Sequence, residues 1–179
     1  MRKLSRRVNH FPRSTILNLS NLYELTFTDE GFQFTNNTGD QYYVYLTEHA
    51  LLYPYGDNRY IDVYMLGFSC KRSDLALVHH YDEKTKDTLL LIFESLVSQY
   101  PDDAFIYVCD NQDGKGRNRS ITFAKWFNES DRTFERQYSE IRYGEQSLYT
   151  AILIKKDNHN RQLFIDAYHY TIKQLLNKS

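Results

Sequence analysis

Ala104-Phe-Ile-Tyr-Val-Cys109-Asp110 is a short apolar run between Asp102-Asp103 and Asp110-Asn111. Its length and its acidic, turn-forming flanks predict a buried central strand. Upstream, Leu89, Ile92, Phe93, Leu96, Val97 and Tyr100 recur at intervals of three and four, the pattern of an amphipathic helix over Thr85–Tyr100 stopped by Pro101. Downstream, Ile121, Phe123, Ala124, Trp126 and Phe127 repeat that spacing within Arg117–Asn128. Helix, strand and helix in succession imply right-handed crossovers, which set residues 104–109 beside an earlier strand at Tyr60–Ser69.

The flanking sequence has the period of strands. Leu22–Thr28 and Phe32–Thr35 alternate around Asp29-Glu30-Gly31 as a hairpin, and Tyr42–Leu46 makes a third strand after the Asn36–Asp40 turn. Leu51–Arg59, with Pro54 and Gly56, has turn chemistry. Phe134–Tyr143 and Ser147–Ile154 read as an antiparallel pair, and Leu163, Phe164, Ala167, Tyr168, Thr171, Ile172, Leu175 and Leu176 as a final helix. The predicted class is α+β (mixed α/β): a mostly antiparallel twisted sheet of about seven strands with two crossover helices and a C-terminal helix. Residues 1–20 read as a basic tail or extension and 21–179 as a single α+β domain.

Composition narrows the function classes. Against 23 Asp plus Glu stand 22 Lys plus Arg, so bulk charge supports neither wholesale nucleic-acid affinity nor acidic disorder. The longest nearly uninterrupted apolar run, Leu89–Phe93, is far short of a membrane span. Cys70 and Cys109 have no CxxC spacing and read as two free thiols of a cytoplasmic protein. Arg2, Lys3, Arg6, Arg7 and Arg13 form a basic segment suited to an anionic partner such as nucleic acid.

Several groups are candidates for chemistry. Gly114, Lys115, Gly116, Arg117 and Arg119 join a strand end to a helix start with two glycines and three cations, the ingredients of an anion site. The loop lacks the residue order of a P-loop or a dinucleotide fold, so a solvated turn with Arg119 paired to Asp110 or Asp113 stands beside that reading. Asp110 and Cys109 are the catalytic candidates, as base and thiol at the end of a central strand. His79, His80 and Asp82 suggest a metal, but neighbouring histidines in a strand face opposite ways, and a capping or loop role suits them better. No metal site is assigned. The tyrosines suit sheet packing more than base stacking. Trp126 and Phe127, adjacent on a helix, point apart: one anchors the helix and the other meets the last helix or a partner.

Two resemblances follow from these residues. Tyr43-Val44-Tyr45, the Thr88–Phe93 helix and above all Ile106–Asp110 followed by Asp113, Arg117, Arg119, Phe123 and Trp126-Phe127 resemble an uncharacterised domain family of Bacteroidota proteins, over about residues 22–175. More distantly, the order of elements is similar to the later two-thirds of the GNAT acyltransferase fold. That resemblance implies acetyl-coenzyme A, its diphosphate held by a Gly-rich loop opening the helix after the fourth strand, and a tyrosine on the next helix that protonates the leaving thiolate. Here Ser69–Thr88 has no glycine, and Phe123 stands at the tyrosine's position. The expectation is therefore a binding or regulatory module acting through a protein partner or as a homo-oligomer, without a cofactor. Two alternatives stay open: an atypical N-acyltransferase using Lys115, Arg117, Arg119 and Asp110, and a nucleic-acid-associated defence or toxin-antitoxin component.

Overall fold

The computed structural model describes residues 22–28, 31–56, 59–73, 82–109, 114–130, 133–143 and 146–177. The elements run β1 (Thr26–Thr28), β2 (Gly31–Thr35), β3 (Gln41–Leu52), β4 (Tyr60–Lys71), α1 (Glu83–Gln99), β5 (Phe105–Cys109), α2 (Gly116–Ser130), β6 (Phe134–Tyr143), β7 (Gln146–Lys155) and α3 (Arg161–Leu176). The strands form one seven-stranded sheet in the order β1-β2-β3-β4-β5-β7-β6. Pairs β1–β2, β2–β3, β5–β7 and β6–β7 are antiparallel, while β4 and β5 pair in parallel across α1. The class is α+β, and the run at 104–109 lies beside β4 as its flanks imply.

The expected third strand is too short. β3 continues to Leu52 through the exposed Thr47-Glu48-His49, and the turn is confined to the stretch closed by Tyr53 N–H donating to Arg59 C=O at 2.9 Å. Polar residues on both faces hide that extension from any alternation test.

Two compact units divide the chain, residues 22–45 with 68–89 and residues 46–67 with 90–177. In the first, an aromatic stack carries the core: Tyr23 on Phe34 at 5.7 Å, Phe34 on Tyr42 at 4.8 Å and Tyr42 on Phe68 at 5.9 Å. Gly31 is required here, because a Cβ on it would lie 2.1 Å from the Val44 carbonyl oxygen. Asp40, fully buried, fastens the β2–β3 turn by accepting the Ser73 amide at 3.0 Å and the Thr38 hydroxyl at 3.1 Å.

In the second unit the sheet is covered on both faces. Strand residues alternate sides, so Val63, Ile106, Ile152 and Ile154 meet Phe164, Ile165, Ala167 and Tyr168 of α3. Phe105, Tyr107, Phe134, Ala151 and Leu153 meet Phe93 and Val97 of α1 and Phe123 and Phe127 of α2. Among the described residues no helix is long and apolar enough to cross a membrane.

Candidate functional site

A helix start is the first place to seek an anion site, because its leading amides have no intrahelical partner and its dipole is positive. At the start of α1 the chain fills that place itself. Asp82 is the N-cap: its Oδ1 accepts the Lys84 amide at 3.1 Å and its C=O accepts the Lys86 amide at 3.2 Å. Oδ2 accepts the Thr85 hydroxyl at 2.5 Å and the Tyr23 hydroxyl at 2.8 Å. Burial pushes the Asp82 carboxyl up, but bonds from the Thr85 and Tyr23 hydroxyls and the Thr85 and Lys84 amides outweigh it and hold the group below its ordinary range. Tyr23 is fixed in turn, its amide donating to Thr88 Oγ1 at 3.1 Å and its hydroxyl accepting the Asn37 amide at 3.2 Å.

The GNAT resemblance puts a diphosphate at this helix start, where a carboxylate of the chain already stands. The amides there are engaged by Asp82, and Glu83 adds a second carboxylate to the first turn. Asp82 takes the capping role that its position suggests. His79 and His80 lie outside the described residues, and among the described residues no group of three His, Cys, Asp or Glu side chains is placed to hold a metal.

The second place is the passage from β5 to α2. Cys109 is in no disulfide and is buried, its strand position paired with Tyr149 and its side chain in the apolar cluster under α1 and α2. Asp110, Asn111 and Asp113 lie outside the described residues. Gly114 has φ +71 and open space where a Cβ would stand, so it serves the backbone conformation and no close approach. Gly116 is no loop residue; it is buried and opens α2. Lys115 and Arg117 are exposed and Arg119 half-buried, and the first turn of α2 contains no acidic residue of its own.

Sequence reading missed the residue that gives this region its character. The sheet register sets Arg136 opposite Leu153, and Leu153 opposite Phe105, which places Arg136 on the same face as Tyr107. Arg136 Nε donates to the Tyr107 hydroxyl at 2.8 Å. Its guanidinium lies 5.9 Å from the Tyr107 ring centre and 5.3 Å from that of Tyr138. Burial raises the Tyr107 pKa while Arg136 works against the rise. Phe123 meets Tyr107 edge-on at 5.7 Å, so the phenol nearest this part of α2 is covered and already hydrogen-bonded.

Around this core the surface mixes guanidinium and apolar area. Tyr138 is 43% exposed; burial and the Glu140 carboxylate push its hydroxyl pKa up, and Arg136 and Arg117 work against that rise. Ile121, one helical turn after Arg117, is 54% exposed. Arg142 Nε donates to Glu140 at 2.8 Å, and Glu140 also feels Arg117. Exposed tyrosine and arginine are residue types that protein interfaces enrich. The set can stack, and it can donate to carboxylates. Phe127 packs on Phe134 in the core, and Trp126 lies against Phe123, so the two part as their adjacency requires.

Neither a curated protein nor a solved structure matches the chain. A family model described as a family of unknown function, DUF6169, matches residues 81–170, which carry α1, β5, α2, β6, β7 and most of α3. With half of its length matched in this way, the chain belongs to the DUF6169 family of unknown function.

Proposed function

We propose that this protein is a binding or regulatory module that uses a GNAT-like scaffold for protein contacts and transfers no acyl group. One observation carries the reading: the carboxylate of Asp82, held by Lys84, Thr85 and Tyr23, stands where a coenzyme diphosphate would need bare amides. Phe123 supports it, since a phenyl ring has no proton to give a thiolate. The Tyr138, Arg117, Arg136 and Ile121 surface supports contact with a protein. We place the protein in the bacterial cytoplasm, in keeping with two free cysteines and the resemblance to Bacteroidota proteins.

Thermal unfolding with acetyl-coenzyme A tests this. A ligand of the folded state raises the midpoint in proportion to its binding, so an unchanged midpoint at millimolar coenzyme is expected and a dose-dependent rise overturns the reading. A second reading, the atypical N-acyltransferase, draws on the acid-free first turn of α2 with Lys115, Arg117 and Arg119. A midpoint rise abolished by Arg117→Ala would move the protein to that class.

A further inference from the structure

We propose that β6 is a dimerisation edge, and that the partner it takes is β6 of a second copy of this chain, antiparallel, with Tyr138 facing Tyr138. This deepens the protein-contact reading and rests on it.

β6 is the last strand in the sheet order, ten residues long, and among the described residues it pairs with β7 alone. Its free side has a definite pattern. The Lys156 amide donates to Thr133 C=O at 2.8 Å, one step beyond the Phe134–Lys155 position of the ladder. Bonded positions alternate in an antiparallel pair. The odd-numbered residues of β6 therefore bond to β7, while Phe134, Arg136, Tyr138, Glu140 and Arg142 turn their N–H and C=O groups to the open side. Long edges of this kind are templates for another strand unless charge or shape prevents it.

Charge here selects one pairing instead of preventing all of them. Residues directly opposite in an antiparallel pair share a face, so only registers that match even with even positions keep the side chains of both copies on their proper sides. With Tyr138 opposite Tyr138, Arg136 of each copy stands opposite Glu140 of the other. That gives two opposite-charge pairs around a central aromatic pair, and both kinds of cross-strand pair are stabilising. Sliding the second strand two residues one way sets Arg136 against Arg142, and a slide of four sets Glu140 against Glu140. Arg136 forms no ion pair among the described residues and is held by the Tyr107 hydroxyl and two tyrosine rings, so a carboxylate from outside does not displace one already bound. The contact is isologous and closes as a two-fold dimer.

Disulfide capture of the intact chain tests the register. In a Cys70→Ser background, which removes the exposed native thiol, Tyr138→Cys puts two thiols opposite each other at a bonded pair with Cα atoms about 5.5 Å apart, within disulfide reach. The exposed Tyr138 position tolerates this change. Mild oxidation is expected to give a covalent dimer with Tyr138→Cys and none with Gln137→Cys, whose partner in this register is Ser139. Light scattering should show twice the 21.4 kDa chain mass for the unmodified protein. It should fall to one chain mass for Glu140→Arg, which sets like charges opposite, and return for Arg136→Glu with Glu140→Arg. A protein monomeric up to roughly 100 µM, or equal capture at positions 137 and 138, overturns the pairing. If Arg136→Glu unfolds the chain, the capture at 138 against 137 still decides. Failure of capture with no response to acetyl-coenzyme A sinks the β6 dimer alone, whereas a coenzyme response sinks the contact reading beneath it.

Discussion

Replacing Asp82 by alanine removes three kinds of support at once. The Lys84 amide loses its cap, a change that costs about 1 kcal/mol at a helix start. The Tyr23 hydroxyl and the hydroxyl of the buried Thr85 lose a charged acceptor, and hydrogen bonds to a charged group contribute about 1.5–3 kcal/mol each when buried. Tyr23 and Asp82 retain partial access to water, so each bond falls to the ordinary net value of about 0.5–1.5 kcal/mol, and with the cap the whole loss is about 2–4 kcal/mol. For a domain of this size that lowers the thermal midpoint by roughly 4–16 °C. Asp82→Asn keeps the capping oxygen and should lose less than half as much. Acid gives an independent check. The folded carboxyl titrates below its ordinary value, so its contribution is complete above the unfolded-state pKa of about 3.9 and is lost as pH falls through the folded pKa. Urea melts between pH 7 and pH 3 should therefore show the native chain converging on Asp82→Asn at the acid end. A native-to-alanine difference within about 0.5 kcal/mol at pH 7 would refute the reasoning.

Other sites give sharper contrasts. Gly31→Ala drives a Cβ into the Val44 carbonyl and should cost at least about 2 kcal/mol by urea denaturation, whereas Gly56→Ala, with open space but φ +98, should cost about 1 kcal/mol; equal losses would contradict the contact. Among the described residues the buried Tyr168 hydroxyl has no partner in hydrogen-bond geometry, although Ser139 and Thr150 lie near it. Tyr168→Phe should therefore be neutral or stabilising by up to about 1 kcal/mol, and a clear destabilisation would show a bond that the geometry lacks. Cys70 is exposed but its thiol is pushed up by burial around the sulfur and by Asp40, so a disulfide reagent at pH 7 should modify it more slowly than a free thiol and faster as pH rises. Cys109 should react only on unfolding; fast labelling of two thiols in the native chain would contradict its placement.

Local pattern made most of the fold legible. The 104–109 run, the three-and-four spacing before Pro101 and the alternation around Gly31 each report a face that the core buries. What stayed hidden depends on pairing between distant residues. Arg136 and Tyr107 meet because β7 stands between their strands, and Tyr23 and Asp82 meet across 59 positions. No spacing in the chain encodes either contact. Gly116 misled because glycine in a cationic stretch reads as a loop, although a helix start accepts it as readily.

Whether the start of α1 can accept a diphosphate separates a contact module from a coenzyme-binding protein. Titration calorimetry of the intact chain with coenzyme A addresses that directly. Heats no larger than dilution, in the native protein and in Arg117→Ala alike, are the expected result. A saturable isotherm with one site per chain would contradict the account.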